Sequence, residues 1–102
     1  MRVFIMFDLP VETKTQVRTY NKFRKSLIEE GFLMMQYSIY VKSCLNKESA
    51  ESMVHKVKMH LPKDGHVRSL IITERQFESM KILIGEEDKN LEILGDNRTI
   101  QF

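Results

Sequence analysis

The chain has 102 residues and a mass of 12.1 kDa, below the roughly 150 residues typical of one domain, so two independent domains are excluded. Its 42% hydrophobic and 29% charged content is that of a globular protein and excludes wholesale disorder and collagen-like repetition. A formal net charge of +2 is too small to mark a nucleic-acid partner by composition alone.

The first predicted element is the continuous apolar run Val3 to Phe7, ending at Asp8 and Pro10, which fits a strand buried on both faces in the middle of a sheet. Thr13 followed by Gln16 matches a capping box. It opens a helix running through Val17, Tyr20, Leu27 and Ile28 to a stop at Gly31. Phe32 to Cys44 is rich in aromatic and β-branched residues and reads either as one bent strand or as a tight hairpin kinked near Gln36. Asn46 caps a second helix that carries Ala50, Met53, Val54, Val57 and Leu61 on one side and ends before Pro62. Asp64 and Gly65 then turn the chain. Val67 to Thr73 reads as a buried strand through Leu70, Ile71 and Ile72, residues 73–77 as a connection, and Met80 to Ile84 as a further strand. After a polar loop come Leu91 to Leu94 and Thr99 to Phe102, set around the turn-prone trio Gly95, Asp96 and Asn97.

This order predicts an α+β fold, a ferredoxin-like sandwich with two helices on one face of an antiparallel sheet. Residues 1–84 would form the core and 85–102 a C-terminal loop and strand extension. Apolar Ile100 and Phe102 at the chain end need cover, which another subunit's sheet edge would supply. The lone Cys44 can form neither an intrachain disulfide nor a paired-thiol zinc site, so a reducing, cytoplasmic setting is expected. The Val3 to Phe7 run is far shorter than a signal-peptide core or a membrane span of about 20 residues.

Charge is unevenly distributed, with 12 Lys/Arg against 7 Asp/Glu in residues 1–73 and 4 against 7 in residues 74–102. On the first helix Lys14, Arg18, Lys22 and Lys25 fall within an arc of about 80° at 100° per residue. Such a row of long cations can track a phosphate backbone without reading bases; the alternative is a solvated helix face partly neutralised by Glu29. Arg24 lies instead among Val17, Tyr20, Leu27 and Ile28, where its head must reach the surface or bond a carboxylate or phosphate.

Asp8 closes the first strand just before the turn, either as a site carboxylate or as a brace for Leu9 to Val11. One carboxylate is too few ligands for Mg²⁺ unless a second copy, water and substrate complete the shell. His55, His60 and His66 lack the spacing of a shared metal site. Phe23, Tyr37 and Tyr40 read as core or interface aromatics, and no Gly-rich phosphate loop or HExxH motif is present.

Several short motifs follow one another along the chain. Phe7-Asp8-Leu9-Pro10 closes the first strand, and Phe23-Arg24-Lys25 and Gly31-Phe32 bracket the end of the first helix. Gln36-Tyr37-Ser38-Ile39-Tyr40, Thr73-Glu74-Arg75-Gln76-Phe77 and Leu94-Gly95-Asp96-Asn97 come after them. Together they resemble the CRISPR-associated protein 2 family, the small subunit of the spacer-acquisition complex, and most of all its type II members. The resemblance implies a homodimer whose C-terminal strand crosses to the partner's sheet, with Leu94, Ile100 and Phe102 in protein contacts. It implies that this dimer bridges two dimers of the integrase subunit, CRISPR-associated protein 1, in an assembly that inserts short duplex DNA into the CRISPR array. Lys14, Arg18, Lys22, Lys25 and Arg24 would then serve double-stranded DNA binding. The resemblance also implies a second activity, a Mg²⁺-dependent nuclease on RNA or DNA in which Asp8 from both subunits is the catalytic and metal-binding residue at the dyad. The chain departs from the commoner pattern at Phe7, where a tyrosine often precedes the aspartate.

Overall fold

Four of the first seven residues, Val3, Phe4, Ile5 and Phe7, are buried apolar side chains on both sides of one strand, β1 (Arg2–Asp8). A strand apolar on both faces must lie inside a sheet with both faces covered. In the computed structural model, which describes residues 1–85, β1 is flanked by β3 (Ile39–Ser43) and β4 (His66–Ile72). Strand β2 (Leu33–Gln36) pairs outside β3, giving the order β2-β3-β1-β4 with every pairing antiparallel. Helix α1 (Lys14–Glu29) follows β1 and helix α2 (Lys47–Lys58) follows β3, which is the ferredoxin-like sandwich expected.

Both helices pack on the side of β1 that carries Val3, Ile5 and Phe7. Phe23 and Leu27 of α1 and Ala50, Met53 and Val57 of α2 close over them together with Tyr40. The Phe7 ring meets Phe23 edge-on at 5.1 Å between centroids and stacks on Tyr40 at 5.7 Å. Each such fully buried side chain stabilises the fold by roughly 1.5–3 kcal/mol. Capping boxes at Thr13 and Asn46 start the two helices as expected, and Gly31, at φ 96°, lets the chain leave α1 in a conformation that other residues resist.

Several expectations change. Residues 32–44 form a hairpin rather than one bent strand. Its turn is marked by Ser38 at φ 63°, a left-handed position filled without glycine. On α1 the buried residues are Phe23 and Leu27, whereas Val17 and Ile28 remain 40% and 45% exposed. Leu61 lies past the end of α2 and is exposed. Among the described residues β4 has only β1 beside it, and Leu70, paired with Phe4 on the sheet face away from α1 and α2, is half exposed instead of buried. Residues 73–77 do more than connect: a third capping box, Thr73 with Gln76, starts the short helix α3 (Glu74–Glu78). Met80 to Ile84 form no strand; the helix has turned the chain off the sheet, and Leu83 and Ile84 are more than 90% exposed. The segments Leu91 to Leu94 and Thr99 to Phe102, with the turn between them, lie outside the described residues, as does nearly all of the expected 85–102 extension.

Helix α3 covers part of the second sheet face. Phe77 packs against Phe4 at 6.0 Å, beside Val41, Leu33 and Ile72. A buried cation holds it there. Arg2 is only 4% exposed, donates to both Glu74 carboxylate oxygens at 2.8–3.1 Å, and sits 4.1 Å over the Phe77 ring. The N-terminal ammonium lies 3.5 Å from the same carboxylate. An arginine so buried is tolerated because its charge is paired and its planar head is both hydrogen-bonded and stacked.

The Arg2 hydrogen bonds hold the Glu74 carboxyl below the usual range, against the opposing effect of partial burial. The pair therefore stabilises the fold above the carboxylate's unfolded pKa of about 4.3, and that contribution is lost as pH falls through the lower folded value. Glu74→Gln should melt below the parent chain at neutral pH, and thermal melts followed by circular dichroism should show the gap closing as the pH falls below the usual carboxylate range. A gap that persists undiminished in acid would mean the carboxylate's charge is not what holds α3.

Candidate nucleic-acid site

Two groups of polar side chains stand out, on opposite sides of the sheet. On α1, burial of Phe23 and Leu27 turns the opposite side outward, and Lys14, Arg18, Lys22 and Lys25 are all exposed along it. None of the four makes an ion pair or side-chain hydrogen bond with the described residues, Glu29 included. The four cations thus share one exposed helix side that no described acidic residue neutralises. Arg24 does not belong to it. Its guanidinium lies near the hydroxyl of Tyr40, a residue 1% exposed, close enough to offset part of the rise that burial causes in the hydroxyl's pKa. It does so without closing a hydrogen bond of normal geometry.

The second group surrounds Asp8. Side chains alternate along β1, so with Phe7 packed under the helices Asp8 emerges on the other face. Asp8 is exposed and accepts no hydrogen bond from the Leu9 to Val11 turn, so it is not a turn brace. Helix α1 is capped by its own Thr13. The cross-strand partner of Asp8 is His66, and Met6 is paired with Arg68. This register depends on Gly65, at φ 95°: a Cβ there would lie 2.6 Å from the Leu9 side chain and 2.8 Å from the Asp8 carbonyl oxygen. Only glycine lets the entry to β4 run so close to the end of β1.

Asp8, His66 and Arg68 line a shallow cleft of about 340 Å³ together with Met6, Ile39 and the turn residues Tyr37 and Ser38. Of the aromatics read as core or interface, Phe23 and Tyr40 are core, whereas Tyr37 is 82% exposed and is not. His66 and Arg68 had no signal of their own in the sequence beyond a two-residue spacing on a strand, since their relation to Asp8 depends on pairing across 58 residues. His55 and His60 do not line the cleft. Among the described residues no three His, Cys, Asp or Glu side chains converge as metal ligands. One carboxylate beside an imidazole and a guanidinium in a single chain does not fit Mg²⁺, which prefers a shell of oxygens. Leu94, Ile100 and Phe102 lie outside the described residues. No helix among the described residues is long and apolar enough to cross a membrane.

Comparison with known proteins gives a consistent result. The family described as CRISPR associated protein Cas2 matches residues 1–80. A protein of Ligilactobacillus salivarius named CRISPR-associated endoribonuclease Cas2 is 50% identical over 91 residues, covering 89% of this chain and 90% of that one. A protein of the same name from Lacticaseibacillus rhamnosus is 45% identical over 102 residues and covers 100% of both chains. Among solved structures, the crystal structure of Streptococcus pyogenes Cas2 at pH 6.5 superposes with a TM-score of 0.61, covering 81% of this chain and 99% of that one. At 15% identity that likeness concerns the fold alone. With the family matched from the first strand through the end of α3, and relatives aligned over nine-tenths or more of their own length, the chain belongs to the CRISPR associated protein Cas2 family.

Proposed function

We propose that this chain is a CRISPR adaptation subunit in the cytoplasm, a homodimer that scaffolds the integrase subunit, CRISPR-associated protein 1, and binds duplex prespacer DNA for insertion into the array. The observation that carries this reading is the basic ridge of α1. Its four cations are exposed and aligned and make no ion pair among the described residues, and the helix spends no acidic side chain on neutralising them. A second copy related by a two-fold axis would double the ridge and lengthen the phosphate track. The ridge does not read bases, as suits a subunit that must hold segments of any sequence.

In the same reading residues 1–84 are the core, and 85–102 form the extension through which Leu94, Ile100 and Phe102 contact the partner copy or the integrase subunit. The open outer edge of β4 favours this, because an unpaired edge invites an added strand. Ile82, Leu83 and Ile84, exposed where the chain leaves α3, favour it too.

A second reading rests on Asp8. Its carboxylate is exposed and unpaired at the end of a rigid strand, in a cleft, and the relatives reported above are named endoribonucleases. Under this reading Asp8 from two copies would share Mg²⁺ at the dyad of a phosphodiesterase site. The scaffold role is preferred, since no further carboxylate lines the cleft to act as a base.

Charge reversal of Lys14, Arg18 and Lys22 should weaken duplex binding equally for unrelated sequences and flatten the salt dependence by roughly 0.9 in log–log slope for each lost contact. An unchanged slope in a salt titration would remove the ridge from the interface. In an acquisition reaction reconstituted with the integrase subunit, Asp8→Ala should leave insertion intact. Lost insertion with the dimer and complex still formed would defeat the pure scaffold reading. Deleting Leu91 to Phe102 should disrupt the dimer or its docking to the integrase subunit, and sedimentation would report an unaltered complex mass if the tail plays no such part.

A further inference from the structure

Tyr40 carries a polar group without a counterpart. The residue is 1% exposed, and its hydroxyl, enclosed in the core under the helices, has no hydrogen-bond partner among the described residues. A buried hydroxyl left so is costly, because its proton has no acceptor. The cation nearest to it cannot supply one. Helix α1 runs beside β3 in the same sense: the Tyr20 hydroxyl meets that of Ser38 at 3.2 Å, and past the end of the helix the Glu30 carbonyl accepts from the Lys42 ammonium. Arg24 stands one turn on from Tyr20, as Tyr40 stands two residues on from Ser38, so its guanidinium lies near the Tyr40 hydroxyl. A guanidinium has only donors. Both groups therefore lack an acceptor, and no described residue provides one.

The surface around Arg24 is apolar. At 100° per residue Val17, Arg24 and Ile28 share an arc of about 40° along roughly 16 Å of helix. Met34, the cross-strand partner of Tyr40, lies on the same sheet face. All three apolar side chains are 40–46% exposed. This stripe is turned about 100° round α1 from the ridge of Lys14, Arg18, Lys22 and Lys25, so a duplex held on the ridge leaves it uncovered. An arginine and a tyrosine set among apolar side chains that exclude water when covered have the composition of a protein-binding hot spot.

We propose that Arg24 and Tyr40 take one Asp or Glu side chain of a partner protein, with Val17, Ile28 and Met34 packing against the apolar residues beside it. A carboxylate has two oxygens, enough to accept from a guanidinium and a hydroxyl together. Arg24 is exposed and its side chain is flexible, so its rotation uncovers the Tyr40 hydroxyl as the carboxylate arrives. Phosphate carries similar oxygens, but the stripe offers it no second cation and would strip water from its charge, which favours a carboxylate on a protein surface. The inference rests on the scaffold reading, under which the partner is the integrase subunit, and it adds a docking point on α1 to the one proposed for the tail.

The test titrates the full chain with purified integrase subunit by calorimetry, and separately with a labelled DNA duplex by fluorescence anisotropy. Arg24→Gln should weaken the protein complex about tenfold and Tyr40→Phe severalfold, with duplex affinity held within about twofold. Reversal of Lys14, Arg18 and Lys22 should give the opposite pattern. Tyr40→Phe removes a hydroxyl that has no described partner, so its melting temperature should match or exceed the parent's, which separates a lost contact from a damaged fold. Neutralising Glu86, Glu87, Asp88, Glu92 and Asp96 should leave the Arg24 side-chain N–H resonance of the free chain unmoved; a shift would mean that the chain's own tail holds the site. Parent-like affinity of Arg24→Gln for the integrase subunit would overturn the proposal and leave the scaffold reading standing, whereas a parent chain that forms no complex would remove both. A duplex loss in Arg24→Gln equal to the protein loss would assign the site to phosphate, and a lowered melting temperature in Tyr40→Phe would assign the hydroxyl to the fold; either result overturns the proposal.

Discussion

The fold depends on β1 being apolar on both faces. A strand of that kind has to be surrounded: β3 and β4 satisfy its backbone at either edge, and α1 and α2 bury Val3, Ile5 and Phe7 on one side. The remaining side must also be covered wherever it is apolar. Phe4 is covered by α3, which is anchored through Arg2, Glu74 and Phe77. Further along, Met6 and Asp8 have no such cover, and the cleft opens there. Among the described residues, the position of the cleft thus follows from how far a five-residue helix reaches along a seven-residue strand.

Charge follows the same division. Among the described residues the one buried cation, Arg2, is paired with Glu74 and serves the fold. The cations of the α1 ridge and Arg68 are exposed and make no ion pair among the described residues, so they contribute little to the stability of that part of the fold. Helix α1 and the cleft occupy opposite sides of the sheet, so the exposed cations of the ridge and the residues around Asp8 form two separate surfaces.

Local signals carried much of the architecture. The run Val3 to Phe7 announced a central strand because no amphipathic element is apolar at consecutive positions, and Thr13 and Asn46 announced helix starts because their side chains satisfy the first free N–H groups. The same capping logic at Thr73 escaped notice, since α3 is one turn long and shows no apolar periodicity to accompany its cap. Leu70, Ile71 and Ile72 resembled a buried strand, but consecutive apolar residues do not reveal how many neighbours a strand will have. Ser38 hid the hairpin turn because left-handed turns are normally marked by glycine or asparagine.

The sequence by itself determined the order of elements, the buried strand, the two long helices and the alignment of the basic ridge, all of which follow from side-chain spacing along a single element. Asp8 was visible as a polar residue closing an apolar strand. What it faces was decided only by the tertiary structure. His66 and Arg68 reach it through the β1–β4 register, Tyr37 through a turn held by the backbone of Phe7, and the whole arrangement through a close approach that Gly65 alone permits. The physical reason is that cross-strand pairing is set by the packing of an entire sheet, and a shift of one residue would have turned the same side chains to the opposite face.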